Sequence, residues 1–177
     1  MSRLARVLVV VALVVGGCAE IADDRAISRW VVEHAGGARE VELPAHLDLP
    51  AEPATYVLRA EVEVPAELRS QAIELVIPHF AALASLRVDG LEAVATSSDF
   101  VEGYRAVAPK IWRFPDQLRG RSRVALELTV EHRWTQSAWL DTIPRLNRAG
   151  TRDSAAFAVQ AINGFGAAFA VAGLTLI

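Results

Sequence analysis

The segment from Ala155 to Ile177 carries no charged residue over its 23 positions. As a helix it would be about 34 Å long, which is enough to cross the hydrocarbon core of a bilayer. We therefore expect one C-terminal transmembrane helix over residues 155–177. Because the apolar run reaches the last residue, we also expect that the chain is truncated in the first spanning helix of a longer membrane protein.

Polar and small side chains within this segment predict contacts with other helices. Gln160 and Asn163 are three residues apart and would lie on nearly the same side of the helix, where contact with lipid is unfavourable for their amides. Gly164, Ala168 and Ala172 form a stripe of small residues that permits close packing. The expected partners are other transmembrane helices of the same parent receptor, or a second copy in a homo-oligomer.

The first 18 residues have the layout of an export signal. Arg3 and Arg6 precede the apolar run Val7–Val15, and Cys18 follows two glycines. This arrangement is typical of a secretory signal peptide. The stretch from Val15 to Cys18 also resembles a bacterial lipobox, in which the cysteine is lipidated. An ordinary signal peptide and a lipoprotein signal with lipidated Cys18 therefore both stay open, and residues 19–26 would be a tether.

The basic residues give conflicting signals on topology. Arg3 and Arg6 predict a cytoplasmic N-terminus and an exported domain. Arg145, Arg148 and Arg152 would then lie on the outer side of the spanning helix, against the positive-inside tendency. We expect a cell-membrane protein whose middle region is periplasmic.

Residues 27–148 show the alternation of half-buried strands. Thr55–Val64 places apolar or aromatic residues at the even positions and the charged residues Arg59, Glu61 and Glu63 on the other face, and Val124–Glu131 shows the same alternation of apolar and polar residues. The more apolar run Ile73–Ile77 predicts a central strand. Since the chain has one cysteine, no internal disulfide can hold an exported domain, which must rely on its core.

A hairpin signal and regular turns complete this pattern. Ala84–Val88 and Leu91–Ala95 flank Asp89-Gly90, a dipeptide that suits a type I′ turn because both positions need positive φ. Eight prolines fall at turns or strand ends, and no long helical periodicity interrupts the region. We expect an all-β fold, an antiparallel β-sandwich or jelly roll, as a single domain over residues 27–148.

Four short motifs in this order carry a family resemblance: the turn Glu42–His46, the strand Tyr56–Pro65, the hairpin Leu83–Gly90 and the stretch Ile111–Leu126. Together they resemble a galactose-binding-like jelly roll, as in the sugar-binding domains of beta-galactosidases. Placed before a spanning helix, the arrangement resembles the N-terminal sensor domain of bacterial seven-transmembrane receptors with diverse intracellular signalling modules. Asp89 and Ser122 stand where the family pattern usually has asparagine.

This resemblance implies an extracytoplasmic domain that senses a small molecule for a membrane receptor. A carbohydrate ligand is implied by the resemblance alone, as are the histidine kinase or diguanylate cyclase domains that would follow. One alternative is an envelope lipoprotein with a carbohydrate-binding or structural β-sandwich. Another is an accessory sugar-binding module of a glycosidase, which the terminal helix disfavours.

No residue pattern predicts catalysis in this segment. The four histidines are widely spaced, without a paired metal-ligand spacing such as HExxH, and no GxSxG sequence frames a serine. Glu61, Glu63, Glu127 and Glu131 lie on outward strand faces and are interpreted as solvated side chains. With 18 basic and 21 acidic residues the net charge is −3, which disfavours nucleic acid. We expect no enzyme activity, cofactor, metal or nucleic-acid partner.

Aromatic residues are the better candidates for ligand contacts, since polar and aromatic groups together line small-molecule sites. Tyr104 lies in a polar loop, and Trp134 and Trp139 follow a strand in a segment that includes Arg133. We predict that these four residues bind the ligand. For Trp134 and Trp139 a position at the membrane interface or in the core is the alternative, and the general preference of tryptophan for the interface favours it. The remaining tryptophans are predicted to fill the core, namely Trp30 and Trp112.

Overall fold

The computed structural model describes residues 25–49, 52–96, 108–133 and 135–175. These residues form antiparallel β-structure, two 3₁₀ turns and one α-helix. The strands are β1 (Arg29–His34), β2 (Gly37–Glu42), β3 (Ala45–His46), β4 (Ala54–Glu63), β5 (Ile73–Phe80), β6 (Leu83–Val88), β7 (Leu91–Glu92), β8 (Val94–Ala95), β9 (Ala108–Arg113), β10 (Arg123–His132), β11 (Trp139–Leu140) and β12 (Arg145–Arg148). The helix is α1 (Ser154–Thr175).

Two sheets build the body of the domain. The large sheet has six strands in the order β2-β1-β4-β10-β6-β7, and the small sheet has four in the order β12-β5-β9-β8. Strands β3 and β11 form a separate two-stranded ribbon. The predicted antiparallel β-class is confirmed, and strand β5 is an interior strand of its sheet, as its apolar sequence predicted.

The core lies where the inward faces of the strands meet. In the large sheet, β4 and β10 run side by side over their full length, with Leu58 opposite Leu128 and Tyr56 opposite Val130. All four of these side chains are essentially inaccessible to solvent. The alternation read from the sequence is therefore confirmed in both strands. Residues of the small sheet, including Leu75 and Trp112, complete the same apolar cluster.

The hairpin prediction is correct at the turn and wrong in its second arm. Asp89 and Gly90 have φ of 49° and 78°, the positive values that a type I′ turn requires. The expected return strand Leu91–Ala95 is split, since β7 stays beside β6 whereas β8 pairs with β9 in the small sheet. Ala93, between them, is buried and turns the chain from one sheet to the other.

Helix α1 forms where the uncharged C-terminal segment predicted a helix. Among the residues described, however, no helix is long and apolar enough to cross a membrane. The predicted transmembrane helix over 155–177 is therefore not found. Gln160 and Asn163 place two polar amides in the first half of α1, and such groups lower the apolar character of a segment.

The first turns of α1 pack against the small sheet, and the helix then leaves the sandwich. Ala156 is buried, whereas Phe157, Ile162 and Phe165 are 47%, 70% and 68% exposed. Three large apolar side chains in the described part of α1 are therefore exposed on its surface.

Candidate functional site

The outward face of the large sheet carries charged side chains in register across its strands. Arg59 of β4 lies opposite Val31 of β1 on one side and Glu127 of β10 on the other. Glu127 in turn lies opposite Arg87 of β6, and Val31 opposite Glu40 of β2. Opposite charges on neighbouring strands stabilise one another because directly opposed side chains are about 5 Å apart.

A second row of outward residues lies beside the first. It pairs Arg29 with Glu42 and Ala125 with Glu61. Ala125 is short among long neighbours, and its backbone is fixed by the Asp89 side chain, whose Oδ1 accepts a 2.8 Å hydrogen bond from the Ala125 amide. The small side chain therefore leaves a depression in the face of the sheet.

The two rows line an open cleft of about 930 Å³, which we call the outer cleft. This volume is near the upper end of the range for small-molecule sites. Its charged lining residues are Arg29, Glu40, Glu42, Arg59, Glu61, Arg87 and Glu127.

Arg59 lies at the centre of the outer cleft. Its guanidinium nitrogens lie 3.3 Å from Glu33 and 3.0 Å from Glu127. About half of the Arg59 side chain is still exposed, so each ion pair contributes at most about 1 kcal/mol to stability. The pairs limit where the guanidinium can point, and Arg59 is one of the residues that line the cleft.

Of the predicted ligand residues, the structure describes Arg133 and the backbone of Trp139. Tyr104, Trp134 and Cys18 lie outside the described residues. Arg133 is exposed and forms a 2.6 Å ion pair with Glu131. Trp139 opens strand β11, where it pairs with His46. Arg133 does not line the outer cleft.

The two remaining tryptophans are core residues, as predicted. Trp30 and Trp112 are 2% and 3% exposed. The indole N–H of Trp30 donates a 2.8 Å hydrogen bond to the carbonyl of Ile27, which satisfies the polar end of a buried ring.

A buried polar cluster fixes the segment that follows β10. The Tyr56 hydroxyl donates a 2.6 Å hydrogen bond to the Ser137 carbonyl, and Nδ1 of His132 lies 2.7 Å from the Ser137 hydroxyl oxygen. A serine beside a histidine suggests a nucleophile, but a nucleophile must reach its substrate and Ser137 is fully buried. The cluster therefore acts as a structural anchor. Burial raises the pKa of Tyr56 well above its usual value, so the hydroxyl stays protonated.

A second polar cluster joins α1 to the sheet below it. The buried Glu74 of β5 accepts hydrogen bonds from Arg113 at 3.1 Å and from the Gly150 amide at 3.2 Å. Asp153 caps the helix by accepting from the Ala156 amide at 2.8 Å, and its other oxygen accepts from Asn147 at 2.9 Å. These hydrogen bonds connect the start of α1 and the turn before it to strands β5, β9 and β12.

Replacing the helix cap tests this connection. We expect Asp153→Ala to lower the free energy of unfolding by about 0.5–2 kcal/mol, because an N-cap acceptor is lost. Asp153→Asn keeps the capping oxygen for the Ala156 amide but loses the acceptor for Asn147, so its loss of stability should be smaller than that of the alanine variant. Chemical denaturation measures both variants, and hydrogen exchange at the Ala156 and Phe157 amides should accelerate in the alanine variant alone. Equal stability of Asp153→Ala and the wild type would contradict the role of the cap.

Within the described ranges, no group of three or more histidine, cysteine or acidic side chains is placed to hold a metal ion. The lining of the outer cleft offers guanidinium donors and carboxylate acceptors for hydrogen bonds.

Similarity to known proteins is found here among solved structures. No protein-family model matches the chain, and no curated protein matches it. Among solved structures, a beta-D-glucuronidase of Dictyoglomus thermophilum is 12% identical with a TM-score of 0.45, covering 60% of this chain and 19% of that one. A beta-glucuronidase of Faecalibacterium prausnitzii is 11% identical with a TM-score of 0.43, covering 62% and 22%. The chain thus spans about a fifth of these enzymes, and likenesses this low assign no activity to it.

Sequence reasoning missed the outer cleft. It placed Glu61 and Glu127 on outward faces correctly but treated each strand as an isolated solvated surface. The available signal was that β4 and β10 both alternate charged and apolar residues over similar lengths. Pairing them antiparallel brings Arg59 opposite Glu127, but only the topology shows that β1 and β6 extend the same rows.

Proposed function

We propose that this chain is the ligand-binding domain of a membrane signalling receptor, that it lies outside the cytoplasm, and that it binds a carbohydrate without catalysis. The outer cleft is the proposed site. The observation that carries the proposal is the intermingling of arginine and glutamate side chains around the depression at Ala125.

Polyhydroxylated molecules fit this chemistry. A hydroxyl group donates one hydrogen bond and accepts others. Arginines supply only donors and ionised glutamates only acceptors, so a lining that mixes them can satisfy both functions of a sugar hydroxyl. Val31 and Ala125 supply small apolar surface between the charges, which suits the C–H faces of a sugar ring.

Two further features support the receptor part of the proposal. The first 18 residues have the layout of an export signal. Helix α1 leaves the sandwich with apolar side chains exposed and with its first turn tied to the small sheet. A change in the sandwich on ligand binding would therefore reach the helix through fixed polar contacts.

A glycan array probed with the full chain tests the carbohydrate assignment. We expect binding to a limited set of glycans, and the absence of binding to any saccharide would contradict the proposal.

The location of the site is tested by filling the depression. Ala125→Leu adds bulk to the floor of the outer cleft, and we expect it to weaken binding of an array-positive glycan by about tenfold or more, equivalent to at least about 1.4 kcal/mol. Thr129→Leu is the matched control, because Thr129 lies on the same face of β10 but does not line the cleft. Titration calorimetry measures both, and equal affinities of the two variants would place the site elsewhere.

A further inference from the structure

The outer cleft is elongated across the strands of the large sheet. Its first row of outward residues comes from five neighbouring strands in register, in the order Glu40, Val31, Arg59, Glu127 and Arg87. The second row lies two residues further along the strands and contains Glu42, Arg29, Glu61 and Ala125. The lining thus extends across five neighbouring strands and is two rows of residues wide.

Sheet geometry converts these rows into dimensions. Neighbouring strands are about 4.8 Å apart, so four spacings give a length of about 19 Å. Residues on one face of a strand repeat about every 6.8 Å, which sets the separation of the two rows. The cleft is therefore nearly three times as long as it is wide, and its long axis is perpendicular to the strands.

The charges along this axis give the cleft no strong preference for a positively or a negatively charged ligand. Three arginines and four glutamates line the cleft, and along the first row Arg59, Glu127 and Arg87 alternate in sign. A ligand carrying one formal charge at each repeat would meet attraction and repulsion in turn. A ligand whose groups are neutral and both donate and accept meets favourable partners at every position.

We propose that the outer cleft binds a neutral, linear oligosaccharide laid across the strands from β2 to β6. This inference rests on the proposed carbohydrate function and adds the ligand's length and charge. A monosaccharide would contact only part of the lining. An acidic oligosaccharide would place its carboxylates against Glu40, Glu61 and Glu127 as well as against the arginines.

The test is a series of oligosaccharides of increasing length, measured by titration calorimetry on the full chain. Glucose, xylose and the cello-, malto- and xylo-oligosaccharides from disaccharide to hexasaccharide are the neutral probes, and oligogalacturonides are the acidic counterpart. We expect affinity for one neutral series to rise by about tenfold or more with length and then level off when the cleft is filled. This affinity should change little between low and high salt, since screening acts on charged ligands.

Outcomes separate this inference from the function on which it rests. Equal affinity for a monosaccharide and its longer oligomers would overturn the extended ligand, and a preference for oligogalacturonides would overturn its neutrality. In both cases carbohydrate binding itself would stand. If no saccharide binds, the proposed function fails together with this inference.

Variants at one end of the cleft provide a second measurement. Arg87 lies at the β6 end, so Arg87→Gln should flatten the dependence of affinity on length, lowering affinity for the longest oligomers by about tenfold and for the disaccharide much less. Glu92→Gln is the matched control, because Glu92 is exposed opposite Arg87 but does not line the cleft. Equal losses for short and long oligomers, or no loss for either, would contradict a ligand that reaches β6.

Discussion

Trp112→Ala is expected to lower the free energy of unfolding by about 3–5 kcal/mol, the range for removing a large aromatic side chain from a core. Trp112 is 3% exposed and lies in β9, between β5 and β8 of the small sheet. Its ring belongs to the apolar cluster that joins the two sheets. Truncation to alanine loses the transfer free energy of the ring and leaves a cavity that rigid strands cannot close.

Urea denaturation of the full chain measures this loss. Val94→Ala is a suitable control, because Val94 pairs with Arg113, the residue next to Trp112, yet is 66% exposed. Its replacement should change stability by no more than about 0.5 kcal/mol. A loss below about 1 kcal/mol for Trp112→Ala would show that the indole does not hold the sheets together and would reopen its assignment to the core.

Local patterns explain why much of this fold is predictable from the sequence. In β4 and β10 the alternation of apolar and charged residues reflects burial of one face, and burial is a property of each strand separately. The Asp89-Gly90 turn is likewise local, because positive φ at both positions is a requirement of the two residues themselves.

The errors occur where the outcome depends on neighbours that are distant in sequence. Leu91–Ala95 has strand character throughout, but Ala93 is buried and the chain changes sheets there. The choice between one long hairpin arm and two short strands depends on whether β6 or β9 offers the better partner. Periodicity contains no information on that competition.

The candidate site also combines features that follow from local sequence with features that depend on strands distant in sequence. That Arg59 and Glu127 point outward follows from alternation, whereas their contact at 3.0 Å requires β10 to pair with β4 in one particular register. A shift of one residue would move every outward side chain to the core. The register is therefore fixed by the buried leucines, and the arrangement of the outer cleft is a consequence of core packing.

A second large effect on stability is expected when the buried hydroxyl of Tyr56 is removed. Tyr56→Phe removes the donor to the Ser137 carbonyl and leaves that buried acceptor without the 2.6 Å hydrogen bond. We expect the free energy of unfolding at neutral pH to fall by about 0.5–1.5 kcal/mol, the net contribution of one intramolecular hydrogen bond. The change in apolar volume is small, so little of this loss can come from packing.

The same substitution should alter the response to alkali. Burial raises the pKa of Tyr56 in the folded chain above its usual value of about 10. The unfolded chain therefore releases this proton first, and the stabilisation that comes from keeping the hydroxyl neutral is intact below about pH 10 and is lost progressively above it. The phenylalanine variant has no proton to lose at this position, so its stability should decline less steeply with rising pH. Denaturation of both proteins from pH 7 into the alkaline range measures the difference, and because all other titrating groups are shared, parallel curves would show that Tyr56 is not buried as a neutral donor.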